Sequence, residues 1–218
     1  FKIYDDHQLE YILILDSQAD DAYTLGKLVA FQIQGLLTAY KERFNKDNFI
    51  KNLLLDNLLL VDIQNRAKKL HIEMEARRVV YILETNQEKD YGSLENIKNL
   101  LGGKSGDFVT AVDEKSVIIV KELAPSDDYA QLEKTAYTIL STLGVEKDGK
   151  THIAYGTIVK DLKEVSRSYK EARMALDVGK IFFGEKEVIA YSSLGIGRLI
   201  YQLPIPLCKM FIREIFDG

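Results

Sequence analysis

This sequence of 218 residues predicts an α+β domain: an antiparallel sheet carrying helices, led in by a helical segment. Three observations carry that expectation. Apolar residues recur at helical spacing up to Arg77, and then Arg78 to Thr85 (RVVYILET) forms a β-rich run. Beyond it, glycines and short polar segments divide the chain into alternating strand-like and helix-like stretches. Apolar content of 46% and charged content of 28% match a globular chain and exclude gross disorder.

Leu9 to Leu15 (LEYILIL) is a short apolar run between polar clusters, which predicts a buried strand. A helix is expected over 20–44, opened by Asp20-Asp21 at its positive end. Val29, Ile33, Leu36 and Tyr40 step along it at heptad spacing. A second helix is expected after Asp47, with Phe49, Ile50, Leu53, Leu54 and Leu58, and a third over about 62–70. After the strand at 78–85, Ser93 caps a helix that stops at Gly102-Gly103. Phe108–Val112 and Val117–Lys121 read as a hairpin joined by Asp113-Glu114-Lys115-Ser116. Then come a helix from Ser126-Asp127 to about Leu143, a strand at Thr151–Tyr155, a helix at Leu162–Val178 and a strand at Glu187–Tyr191. Short helices near Leu194–Tyr201 and after Pro206 close the chain.

From Arg77 the order is thus β-α-β-β-α-β-α-β. Its first six elements follow the split βαβ order of a ferredoxin-like sandwich.

Composition excludes several functions. A net charge of −4 argues against strong nucleic-acid binding by these residues, which would need a basic face to neutralise phosphates. The single Cys208 rules out an internal disulfide framework and fits a reducing cytoplasm. The longest apolar cluster, Leu53 to Val61, is broken by Asp56 and Asn57, so no membrane span is expected. His7, His71 and His152 are scattered without ligand spacing, so no metal and no cofactor are expected. Gly102-Gly103-Lys104-Ser105 fails as a phosphate loop. The required first glycine is replaced by Lys98, and the order is helix-loop-strand.

The most informative stretch is 155–204. It contains Tyr155-Gly156, Asp161-Leu162, Ser168-Tyr169-Lys170-Glu171-Ala172, Ala175-Leu176, Ser193-Leu194-Gly195-Ile196-Gly197 and Leu203-Pro204. Val165, Tyr169, Ala172 and Leu176 form the stripe of a core-facing helix. The set resembles the middle domain of the sugar-diacid-regulator (CdaR) and purine-catabolism-regulator (PucR) transcription factors. That domain is related to GGDEF diguanylate cyclases and usually lacks their active site. The resemblance spans about 44–218 and implies a nucleotide-cyclase-like (degenerate GGDEF) form of the ferredoxin-like fold. It also implies a division into 1–19, the end of an upstream GAF- or PAS-type sensor; 20–72, a helical linker; 73–200, the degenerate GGDEF-like domain; and 201–218, a connector toward a C-terminal helix-turn-helix.

In an active cyclase of that fold the hairpin turn presents Gly-Gly-acid-Glu, and a second metal-binding Asp ends the first strand. The turn here lacks both glycines, and the strand ends in Glu84-Thr85. Close backbone approach to a phosphate is lost with the glycines. The expectation is therefore a non-catalytic domain with no catalytic, cofactor or metal residues. The alternative is a divergent cyclase or nucleotide-sensing domain that gathers Glu84, Asp113 and Glu114 around a hard cation.

The resulting expectation is a cytoplasmic fragment of a bacterial transcriptional regulator that forms a homodimer. Val29, Ile33, Leu36 and Tyr40 would line the dimer helix, the alternative being an ordinary amphipathic helix packed on the end of a preceding domain. The upstream sensor would take a small-molecule effector, and DNA would be bound only through a further C-terminal domain.

Overall fold

The computed structural model describes residues 1–5, 8–16, 19–84, 97, 106–113, 116–142, 151–184 and 186–216. It divides into two compact units, Phe1–Phe49 and Ile50–Gly218.

The first unit holds an antiparallel ribbon of β1 (Lys2–Asp5) and β2 (Gln8–Ile12). The buried strand expected at Leu9–Leu15 is corrected in both extent and environment. It is the second arm of a hairpin, and Leu9, Tyr11, Ile12 and Ile14 are exposed. Two strands leave one face without cover, and Ile3 is the buried apolar residue of the ribbon. Gln34 closes on β1 from the helix that follows. Its amide oxygen accepts the Tyr4 N–H at 3.0 Å and its amide nitrogen donates to the Tyr4 carbonyl.

Helix α1 runs unbroken over Ala22–Leu54, where the sequence had suggested a stop between Phe44 and Asp47. Asn45-Lys46-Asp47-Asn48 is polar but contains neither Gly nor Pro, so nothing interrupts the backbone bonds. Helix α2 (Leu60–Lys69) follows a short turn. Both helices end in Schellman turns. Asn57 donates to the Asn52 carbonyl at 2.9 Å and Ile72 to the Ala67 carbonyl at 2.9 Å. The left-handed position is occupied by Asp56 (φ 61°) in one turn and by His71 (φ 54°) in the other.

The second unit is built on a five-stranded sheet in the order β4-β5-β3-β6-β7. These strands are β3 (Arg78–Glu84), β4 (Phe108–Thr110), β5 (Ser116–Glu122), β6 (His152–Tyr155) and β7 (Val188–Ala190). Neighbours are antiparallel except β6 and β7, which are parallel because a helix crosses over between them. Helices α3 (Tyr129–Thr142) and α4 (Val165–Phe182) follow the expected positions. The helix expected over 93–101 lies outside the described residues apart from Ile97, which is helical and buried. Short α5 (Gly197–Gln202) and α6 (Ile205–Phe216) complete the order.

Strand alternation sorts β3 between two layers. Val79, Tyr81 and Leu83 join Leu132, Ala136, Ile139 and Leu140 of α3 in one core. The intervening residues face α4, which packs on β3 and β6 and buries Val165, Ala172, Ala175 and Leu176. Tyr169, expected in that stripe, is half-buried.

Candidate functional site

Two of the acids singled out in the sequence, Glu84 and Asp113, lie where the end of β3, the β4–β5 turn and α4 meet. Glu84 and Ser116 stand opposite each other in the β3–β5 register. The Asp113 carboxylate closes its own turn, accepting the Ser116 N–H at 2.7 Å and the Ser116 hydroxyl at 3.1 Å. Arg173 of α4 reaches over it, with Nη1 3.4 Å from the Asp113 carboxylate and 3.3 Å from Ser116 Oγ. One strand away, Lys180 of α4 donates to the Glu84 carboxylate.

Two of the three acids picked from sequence are therefore each matched by a cation from α4. Glu114 lies outside the described residues. Among those described, no group of three His, Cys, Asp or Glu side chains could hold a metal ion. His152 faces Glu84 across the β3–β6 register, and its Nε2 is 3.4 Å from the Gly184 carbonyl oxygen.

Several residues of the 155–204 stretch have clear structural partners. The β3–β6 ladder pairs Tyr81 with Tyr155, and the next bridge pairs Arg78 with Val159. Val79 and Val80 thus face Gly156, Thr157 and Ile158, so one extra residue bulges from the ladder. Ser168 of α4 fills the gap, accepting the Val80 N–H at 3.1 Å and donating to the Thr157 carbonyl at 2.8 Å. The Glu171 carboxylate accepts the Thr157 N–H at 2.8 Å and also its hydroxyl. Gly156 is needed here because a Cβ would lie 2.1 Å from the Ser168 carbonyl oxygen.

Further along α4 the pattern continues. Lys170 donates to Asp56 at 2.7 Å, and Ser166 reaches the same carboxylate at 3.4 Å. The bonded Lys170 ammonium holds the Asp56 carboxyl below the usual carboxylate range. Near its C-terminal end, Asp177 accepts the Tyr201 hydroxyl at 2.8 Å. Gly197 sits where a Cβ would meet the Val178 side chain at 2.9 Å.

Two arginines also do more than strand periodicity suggests. Arg77 donates to the carbonyls of Ala124, Pro125 and Asp127 at 2.6, 2.8 and 2.8 Å, clamping the loop before α3. Arg78 is fully buried and donates through one Nη to the Glu73 carbonyl at 2.6 Å and to Glu122 at 3.3 Å. Its Nε and other Nη have no partner among the described residues, and burial lowers the pKa of its guanidinium.

Of the residues proposed for a dimer seam, Val29, Leu36 and Tyr40 are 40%, 71% and 71% exposed, and Ile33 is half-buried. Leu25, Leu28, Phe31 and Phe44 on the same helix are also exposed. Among the described residues no helix is long and apolar enough to cross a membrane.

The family model described as a GGDEF-like domain matches residues 57–178, which covers β3 to β6, the Asp113 turn and α4 as far as Val178. No curated protein matches the chain.

Proposed function

Because the chain belongs to the GGDEF-like domain family, we propose that it is a non-catalytic signalling and dimerisation segment of a bacterial transcriptional regulator of the CdaR/PucR type. The observation that carries this reading is the double pairing of Glu84 with Lys180 and Asp113 with Arg173. A divalent ion needs free carboxylate oxygens, and here two of the candidate acids already hold cations of the protein itself. The turn also lacks the glycines that would let backbone amides reach a phosphate. Incubation with GTP or ATP and Mg²⁺ or Mn²⁺ should yield no cyclic product. A product that disappears on Glu84→Gln substitution would establish the divergent-cyclase alternative instead.

In this reading a small-molecule effector is bound upstream, in a sensor that ends in residues 1–19. The α1 helix sets dimer geometry in the cytoplasm, and DNA is contacted by a module outside these residues. Support for the dimer comes from α1, which leaves Leu25, Leu28, Val29, Phe31, Leu36, Tyr40 and Phe44 uncovered. A helix apolar on several faces is normally covered by a partner. Sedimentation should show a dimer for the chain and a monomer for Leu36→Glu. A monomer in both would remove α1 from the mechanism.

A further inference from the structure

Helix α4 touches more separate parts of its unit than packing on the sheet requires. At its N-terminal end, Ser166 and Lys170 hold Asp56, the left-handed residue on which α1 terminates. In its middle, Ser168 and Glu171 hold the bulge at Gly156–Ile158. Next, Arg173 holds the β4–β5 turn and Lys180 the end of β3. Toward its C-terminal end, Asp177 and Val178 seat α5 through Tyr201 and Gly197. The end of α1 and the start of the C-terminal helices are therefore fastened to one rigid rod, and neither fastening needs the sheet.

The geometry points to α4 as a coupling strut that links the α1–α2 turn to α5, with Asp56–Lys170 as one fastening and Asp177–Tyr201 as the other. This deepens, and rests on, the reading of the domain as a relay. A displacement at the α1 terminus would shift the Asp56 fastening, tilt α4 on its buried Ala172–Ala175–Leu176 face and loosen the seat of α5. The bulge supports this division of roles. Ser168 forms a pivot through its buried bond to Val80, joined by the half-buried bonds of Ser168 and Glu171 to Thr157, and the Lys170 and Tyr201 fastenings on either side are exposed.

Hydrogen–deuterium exchange on the 218-residue chain reads the coupling. Lys170→Met breaks the Asp56 fastening while keeping a helix-forming residue. It should raise exchange over 198–202 about threefold, a size suited to an exposed ion pair, and leave β3 amides at 79–83 unchanged. Coupling is reciprocal, so Tyr201→Phe should raise exchange at 54–57 by a similar factor. Arg167→Met, which breaks only a pair with Glu164 one turn away, serves as the control and should do neither. The proposal is overturned if 198–202 does not respond to Lys170→Met, if β3 responds equally, or if Arg167→Met has the same effect. A cyclic nucleotide product would sink the non-catalytic reading and leave this exchange pattern standing. An unresponsive α5 would sink the strut and would not make the domain an enzyme.

Discussion

The Ser168 hydroxyl accepts the Val80 N–H at 3.1 Å, joining a central strand to a helix 88 residues later in the chain. The bond sits where the β3–β6 ladder is interrupted, so it replaces a missing strand partner. Removing it should leave the buried Val80 N–H and the half-buried Thr157 carbonyl without this partner. We predict that Ser168→Ala costs about 2–3 kcal/mol, measured as a lower midpoint in urea with an unchanged slope.

Gly156 offers a second test of the same contact. A methyl group there would press on the Ser168 backbone carbonyl, which a side-chain rotation cannot relieve. Gly156→Ala should destabilise by about 2–3 kcal/mol. In Gly156→Ala/Ser168→Ala the two losses should fall short of additive, because a Cβ at 156 would also lie 2.7 Å from the Ser168 Oγ that Ser168→Ala removes.

His71 should respond in the opposite direction. It holds the left-handed position of the α2 Schellman turn at φ 54°, which strains a residue with a Cβ. Glycine relieves that strain and gives back part of it through greater freedom of the unfolded chain. His71→Gly should stabilise by about 0.5 kcal/mol, seen as a small rise in Tm. Asp56 occupies the equivalent place after α1, but Asp56→Gly would also lose Lys170 and should not stabilise.

Alkaline pH tests the Tyr81–Tyr155 core. Burial pushes the Tyr155 hydroxyl up to about 12 and Tyr81 up as well, their rings standing 5.5 Å apart. The folded protein therefore keeps protons that the unfolded chain releases near pH 10. Stability from these groups is complete below about pH 10 and falls as pH rises toward 12. Tyr155→Phe should flatten that decline in denaturant titrations between pH 9 and 12. An unchanged alkaline limb would show that the hydroxyl is not protected.

What could be read from sequence was local. β3 was visible because VVYIL is a continuous apolar run, and α4 because Val165, Ala172 and Leu176 repeat at helical spacing. The first error arose where local polarity misled: Asn45 to Asn48 resembles a loop in composition yet contains no residue that ends a helix. The second came from solvent exposure, since the apolar residues of β2 did not predict an uncovered ribbon. The site was legible only in half. Missing turn glycines can be seen in a string of letters, but Lys180 beside Glu84 is a pairing across 96 residues. Nothing in the letters marks the roles of Ser168 and Glu171, because the bulge that they satisfy exists only once the sheet has formed.

The paired cations also bear on how far Glu84 and Asp113 are from metal chemistry. If only the turn had diverged, two glycines would suffice to reopen it. Here Glu84 and Asp113 would still be engaged by Lys180 and Arg173, both projecting from the helix that carries the domain's own fastenings. On the proposed non-catalytic reading, gaining a cation site would mean changing the turn and α4 together, and a single change at one of these pairs leaves either a carboxylate without its partner or a cation without its acid.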